Sequence, residues 1–410
     1  MITGVGTRCL EVVSTIDPRC GGVSASLPLL AKAVASDGRH QVTILVVHSS
    51  GDASAAHPVE EVPVLAIPVR RGECLYDGPA SSRIREHLAA ADLVHIHGLW
   101  EPHCAIATRW ARRLAKPYLI SAHGMLETWA LRNHWWKKLP YLFMIERRNL
   151  RRAACARALT RNEVADYRGY GLTGPIAVIP HGVEIPTRID PAPFFERFPG
   201  LRGRRLVLFL SRIHPKKGPD ILCRAWARIS PRFPEAHLVL AGPDFEGTRK
   251  PIEHLIGHLG ISEHITFTGM LNGDLKWSAL AAAEVFVLPS HSEGLPVAVL
   301  EAMGAGKPVI VTRQCNLPEV ADARSGIVIE PDVQHLELAL AELLRTPQED
   351  SRQIGERGCR LVHSRYTWKA VGRQLASVYD WILGGPEPDG VQVFPGKCSW
   401  VPSRPQGVIR

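Results

Sequence analysis

Residues Ser290–Ile310 read SHSEGLPVAVLEAMGAGKPVI. The run before them, Val285–Leu288, is apolar and stops at Pro289, so it reads as a buried strand. The stretch then opens as a small-residue loop carrying Glu293 and Gly294, and Pro296 sits where a helix begins. Such a loop offers unpaired backbone N–H groups at a helix N-terminus, which attract anions. Seven residues separate Glu293 from Glu301, which falls roughly a turn and a half into the helix. Both carboxylates can then face one cleft, and an acceptor-only group suits the paired hydroxyls of a sugar or ribose. The spacing is equally satisfied by a solvated Glu301 and a Glu293 held by the helix dipole.

A second stretch, Phe209–Leu222, reads FLSRIHPKKGPDIL. A strand ends at Leu210. Arg212, Lys216 and Lys217 follow in a loop closed by Gly218, and a helix starts behind them. Several cations at a strand–helix junction can clamp a diphosphate. The pattern is not a P-loop, because GxxxxGK[ST] is absent; a solvated basic loop is the alternative.

Outward from these stretches, short apolar runs alternate with amphipathic ones. In the C-terminal half, strands are expected at 206–210, 237–241, 265–268, 285–288, 308–312 and 326–329. Helices are expected at 220–230, 251–259, 296–304, 336–344 and 368–383. In the N-terminal half, strands are expected at 8–15, 41–47, 93–97, 118–122 and 176–179, with helices at 25–36, 103–115 and 137–158. This alternation predicts an α/β protein with parallel sheets covered on both faces. The cluster Pro180, Pro186, Pro191, Pro193 and Pro199 reads as a linker. Two doubly wound, Rossmann-like domains facing a central cleft are therefore expected, over residues 1–190 and 200–365. The helix at 366–384 is expected to pack back on the first domain, and 385–410 to be a disordered tail.

The chain has 410 residues, enough for two cores, with 45% hydrophobic and 22% charged residues. No apolar run is long enough to cross a bilayer and no secretory leader is evident. The nine cysteines are scattered without a CxxC pair. That favours a reducing, cytoplasmic setting over disulfides or a zinc knuckle. Most of the net charge of +9 lies in residues 1–190, which suits an anionic partner or simply a soluble basic protein.

The two stretches together resemble glycosyltransferase family 4, group 1, whose members have the GT-B fold. Further matching pieces are Gly21-Gly22-Val23, HIHGLW at His95–Trp100, SAHGML at Ser121–Leu126, VIPHGVEIP at Val178–Pro186, LVLAGPD at Leu238–Asp244 and ITFTGML at Ile265–Leu271. The similarity runs to about Leu383. It implies an enzyme moving a hexose from a nucleotide-sugar donor such as a UDP- or GDP-hexose, with retention at the anomeric carbon. The acceptor would be a saccharide or a lipid-linked molecule, in exopolysaccharide or cell-surface glycan assembly.

Carried residue by residue, the resemblance gives Glu301 the ribose hydroxyls and Glu293 the transferred sugar. The N–H groups of Gly294 and Leu295 would lie near the diphosphate or sugar. Arg212 and Lys217 would hold the diphosphate. Backbone at Gly269, Met270 and Leu271 would meet the base, Gly21 and Gly22 would allow close approach of the diphosphate, and His123 would line the acceptor side near the reacting centre. His181 stands where the family often has Asn, and Ser211 where it often has Gly. No DxD-type motif sits in a fitting position, so no metal or other cofactor is expected.

Three other readings stay open. His95 and His97, two apart at a strand end, point to one face. With His123 and His181 they suggest a metal-dependent hydrolase, though no matched acidic ligand is visible. The same fold also serves sugar-nucleotide epimerases and, with a pyridoxal-bearing lysine, phosphorylases. Finally, Arg132, Trp135, Trp136, Lys137, Lys138, Arg147, Arg148, Arg151 and Arg152 stand beside one acid, Glu146. Cations interleaved with tryptophan suit peripheral contact with anionic membrane, and a solvated face is the alternative. No nucleic-acid-binding motif is present.

Overall fold

The computed structural model describes residues 6–20, 22–49, 55–69, 78–126 and 145–396. Its chain divides into two compact units. One comprises Met1–Gly182 with Trp368–Arg410, the other Val183–Thr367. The break between Gly182 and Val183 falls inside the proline-rich stretch, between Pro180 and Pro186.

The first unit is built on an eight-stranded sheet. Its strands are β1 (Thr7–Val13), β2 (His40–Ser49), β3 (Val64–Val69), β4 (Leu93–His97), β5 (Tyr118–Ser121), β6 (Cys155–Ala158), β7 (Ile176–Val178) and β14 (Gln392–Phe394). Their order is β14-β7-β6-β5-β4-β1-β2-β3. All pairs are parallel except β14 on β7. The strand order reverses between β1 and β4, the place where doubly wound sheets open a crevice for ligands. The helix Gly22–Ala35 turns Leu27, Leu30, Ala31 and Val34 inward at helical spacing. The helix Trp368–Ile382 buries Val371, Leu375, Val378, Tyr379 and Ile382 in the same way. The two helices meet closely: a Cβ on Gly372 would lie 2.5 Å from the carbonyl oxygen of Ala33.

Three strands depart from the sequence reading. The expected helix 137–158 is a short helix, Arg147–Arg152, followed by strand β6, while 137–144 lie outside the described residues. The run CARA has good helix formers, but it is wholly buried between β5 and β7, and sheet packing overrides propensity. Strand β3 carries Pro68, a residue that argues against a central strand. It is tolerated because β3 lies at the sheet edge. The tail, expected to be disordered from 385, adds β14 to the opposite edge; residues 397–410 lie outside the described ones.

The second unit has six parallel strands: β8 (Arg205–Leu210), β9 (Ala236–Ala241), β10 (Ile265–Gly269), β11 (Ala283–Leu288), β12 (Val309–Thr312) and β13 (Gly326–Ile329). Their order is β10-β9-β8-β11-β12-β13, so the reversal lies between β8 and β11. The helices Pro219–Ile229 and Val297–Gly304 follow these two strands. The two stretches singled out in the sequence thus leave the sheet side by side at its switch point.

Candidate active site

In the second unit, the segment after β8 forms a tight turn, Pro215–Lys217, whose start is capped by His214 Nδ1 accepting from Lys216 N at 3.1 Å. Gly218 then takes a left-handed φ of 69° and begins the next helix. The loop after β11 is tied to this turn: Ser290 Oγ and His291 N donate to the Lys216 carbonyl at 2.9 and 2.8 Å. Lys217 Nζ reaches both oxygens of Glu293, at 2.6 and 2.7 Å, with the two side chains 12% and 9% exposed. Glu293 is held further by its backbone. Its N–H donates to Gln314 and its carbonyl accepts from Asn316 Nδ2 at 2.6 Å.

Glu301, in the helix Val297–Gly304, accepts from Lys276 Nζ at 2.6 Å through Oε1. Each of the two acids singled out in the sequence therefore carries a lysine partner. Lys276 and Asn316 were missed, because each falls just outside the stretches singled out in the sequence and only packing brings it to Glu301 or Glu293. Arg212 is exposed, its guanidinium stacked 4.7 Å above the Phe245 ring. Among the described residues, the N–H groups of Gly294 and Leu295 are bonded to no protein acceptor, leaving a donor pair at a helix start for an anion. Gly269 has a φ of 71° and its carbonyl accepts from Gly242 N at 2.8 Å. Beyond it Met270 is 63% exposed, whereas Leu271 is buried.

In the first unit, Gly22 opens its helix with open space where a Cβ would stand. Gly21 lies outside the described residues, as do residues 132–138 of the basic stretch. The histidines gather at the β1–β4 reversal around Glu11, which is fully buried in β1. His97 Nε2 donates to Glu11 Oε2 at 2.6 Å, and the Tyr379 hydroxyl donates to Oε1 at 2.6 Å. His95 Nδ1 lies 2.6 Å from the Tyr379 hydroxyl and 3.0 Å from Glu11 Oε2, while its Nε2 is 2.7 Å from Ser121 Oγ. His123 Nε2 lies 3.0 Å from His97 Nδ1. Its ring stacks on His97 and His181, with centroids 5.3 and 5.6 Å apart. His123 has a φ of 52°, uncommon for a residue with a side chain.

Glu11, invisible in the sequence as a partner for the histidines, is the acid the hydrolase reading lacked. Its oxygen and nitrogens of His95 and His97 lie within 4.8 Å of one another, close enough to share a metal ion. Each is, however, already engaged with a protein donor or acceptor, so the residues fit a proton-filled network better than a coordination shell.

Burial alone would raise the Glu11 carboxyl; the charge and hydrogen bonds of His95 and His97 outweigh it and hold it well below the usual range. Burial, followed by the charge of His95, pushes His97 down to about 3. Burial, followed by Arg157, pushes His181 down to about 3. Burial likewise lowers His123 and His95. A neutral imidazole folded and a protonatable one unfolded means that the unfolded chain binds more protons below about pH 6.5. Stability is full above that pH and is lost as pH falls toward 3. The melting temperature should drop between pH 7 and 5, and His181→Asn should flatten that slope. Equal slopes in thermal melts of both proteins would contradict a buried neutral His181.

Two cations, Arg212 and Lys217, and two carboxylates, Glu293 and Glu301, thus follow the switch-point strands of a doubly wound unit. Residues 194–360 match the family of glycosyl transferases group 1, and residues 20–185 match Glycosyltransferase Family 4. The chain belongs to this family: it is a glycosyltransferase of the hexosyltransferase class with the GT-B type of fold, using a nucleotide sugar. A GDP-mannose-dependent alpha-(1-6)-phosphatidylinositol monomannoside mannosyltransferase of Mycobacterium tuberculosis is 28% identical over 401 residues, 92% of this chain and 98% of that protein. The enzyme of that name from Mycolicibacterium smegmatis is 30% identical over 235 residues, 53% of this chain and 59% of that protein. The crystal structure of Anabaena HepE in complex with UDP and glucose has a TM-score of 0.65 at 19% identity, covering 92% of this chain and all of that one.

Proposed function

We propose that this enzyme transfers a hexose with retention from a nucleoside-diphosphate sugar to a saccharide or lipid-linked acceptor, in exopolysaccharide or other cell-surface glycan assembly. The observation that carries the donor reading is the Lys217–Glu293 pair set beside the free N–H groups of Gly294 and Leu295. Arg212, Lys217 and these N–H groups take the diphosphate, Glu301 the ribose, Glu293 the sugar, and backbone at 269–271 the base. Gly22 leaves room for the diphosphate, and His123 meets a sugar hydroxyl. As the bond from the anomeric carbon to the diphosphate breaks, the cations and the helix start stabilise the charge that develops. The acceptor oxygen bonds to the same face of that carbon, and its proton passes to the departing phosphate oxygen. Arg and Lys do the neutralising that a divalent ion does in other transferases, and the reading includes no cofactor.

Two of the relatives named above depend on GDP-mannose, which makes it the first donor to try. Purified protein is incubated with GDP-mannose and a panel of UDP-, GDP- and ADP-sugars, with and without EDTA, and released nucleoside diphosphate is measured. Release from one donor, unchanged by EDTA, is expected. Epimerised donor without release would favour an epimerase, and EDTA-sensitive activity with stoichiometric bound metal would favour a metal enzyme at Glu11, His95 and His97.

Peripheral contact with the inner face of the cytoplasmic membrane is part of the same reading. Among the described residues no helix is long and apolar enough to cross a membrane. Arg109, Arg112, Arg113, Lys116, Arg148 and Arg152 line a groove of about 640 Å³ in the first unit. A groove so basic suits the phosphates of anionic lipid. Flotation with vesicles containing anionic lipid should recover the protein at low salt and lose it at high salt; no recovery at either would remove this element.

A further inference from the structure

The network around Glu11 has a direction. An ionised carboxylate only accepts hydrogen bonds, so at the 2.6 Å contact the proton must sit on His97 Nε2. A neutral His97 then has a bare lone pair on Nδ1, which can only accept. The proton at the 3.0 Å contact between the two rings must therefore sit on His123 Nε2. That leaves His123 Nδ1 bare. It is enclosed and has no protein donor among the described residues.

Glu11 favours a positive charge on His95 and His97, but burial and the field of Arg157 oppose it, and burial and every neighbouring charge that bears on His123 disfavour one there. The fully buried Arg157 holds the Ile179 and Pro180 carbonyls at 3.0 and 2.6 Å, and its positive field bears on His95, His97, His123 and His181 alike. His95 is engaged by Ser121 and Tyr379. Glu11 is the acid facing this group, and it is already the acceptor at the head of the chain.

We propose that Glu11 and His97 are positioning residues for sugar transfer: they fix His123 as the tautomer with a bare Nδ1, which accepts a hydrogen bond from a hydroxyl of the sugar substrate. This rests on the reading of His123 as a residue that meets sugar. An enclosed acceptor without a donor is unfavourable, and a ligand hydroxyl removes that cost. The tautomer makes the position selective, because a hydroxyl can donate there whereas a bare acceptor or an apolar substituent cannot pair with it.

The test separates the chain from the activity. Protein labelled with 15N in its imidazole rings is examined by NMR near pH 7 without ligand, and His123→Asn identifies the His123 signals. The expected pattern is Nε2 protonated and Nδ1 bare. In Glu11→Gln the amide can donate as well as accept, so protonation of His123 Nδ1 should appear. The kcat for transfer should fall at least about tenfold, with the donor KM changed far less. Glu11→Asp, still acceptor-only, should keep the wild-type pattern and recover part of kcat. A cationic His123, or one protonated at Nδ1, in the unsubstituted protein overturns the proposal. So does a folded Glu11→Gln protein with unchanged His123 signals and kcat. Because the spectra need no turnover, an absence of transfer with every donor would refute the functional reading while the tautomer result still stands or falls alone.

Discussion

Lys217→Ala should lower kcat/KM for donor turnover by about 100- to 1000-fold, the usual cost of removing one preorganised group that stabilises charge developing on a leaving oxygen. The structure adds a second consequence. Lys217 is the partner of both Glu293 oxygens, and the pair is largely withdrawn from solvent. Removing the cation alone strands a carboxylate where an anionic diphosphate must bind, so KM should rise as kcat falls. The double variant Lys217→Ala/Glu293→Gln separates the effects. Restored donor affinity, with kcat well below that of Glu293→Gln alone, would mean that the lysine serves the departing phosphate and that the single variant's KM defect is charge repulsion. A Lys217→Ala enzyme within threefold of wild type in both parameters would remove Lys217 from the mechanism.

Gly242→Ala should destabilise the second unit by about 2–6 kcal/mol, combining backbone strain with overpacking. Gly242 has a φ of 144°, and a Cβ there would lie 1.8 Å from the Ser211 carbonyl oxygen and 2.6 Å from its carbon. Those are backbone atoms at the start of the segment carrying Arg212, so the clash cannot be relieved by a rotamer change. The N–H of Gly242 also holds the Gly269 carbonyl. One methyl group thus disturbs the expected diphosphate and base loops together. Thermal and urea unfolding measure the loss, and a change under 1 kcal/mol would show that the segment yields more easily than its packing suggests.

The second unit's switch-point strands were legible in sequence because β8 and β11 are apolar runs ended by Ser211 and Pro289, each leading into a helix. Lys217, Glu293 and Glu301 stand in those junctions, and the resemblance to a known family named them. Glu11 was not legible. In the run Leu10–Val13 a lone Glu reads as one outward-facing residue of a strand, and only the pairing of β1 with β4, together with a helix from the far end of the chain, encloses it. Strand β6 was hidden for a related reason: its Ala and Arg residues favour a helix locally, and what makes it a strand is the vacancy between β5 and β7. Asn316 and Lys276 share this character, since each matters through a neighbour distant in sequence.

The route of the chain has a consequence for its synthesis. The polypeptide leaves the first unit at Gly182, completes all of Val183–Thr367, and only then supplies Trp368–Ile382. The domain begun first is therefore finished last. Until the ribosome has released that helix, Glu11 lacks the hydroxyl of Tyr379, while the second unit can already be whole. A nascent or proteolysed chain ending near Thr367 would hold every residue of the second unit and leave the first one without the helix that covers Glu11.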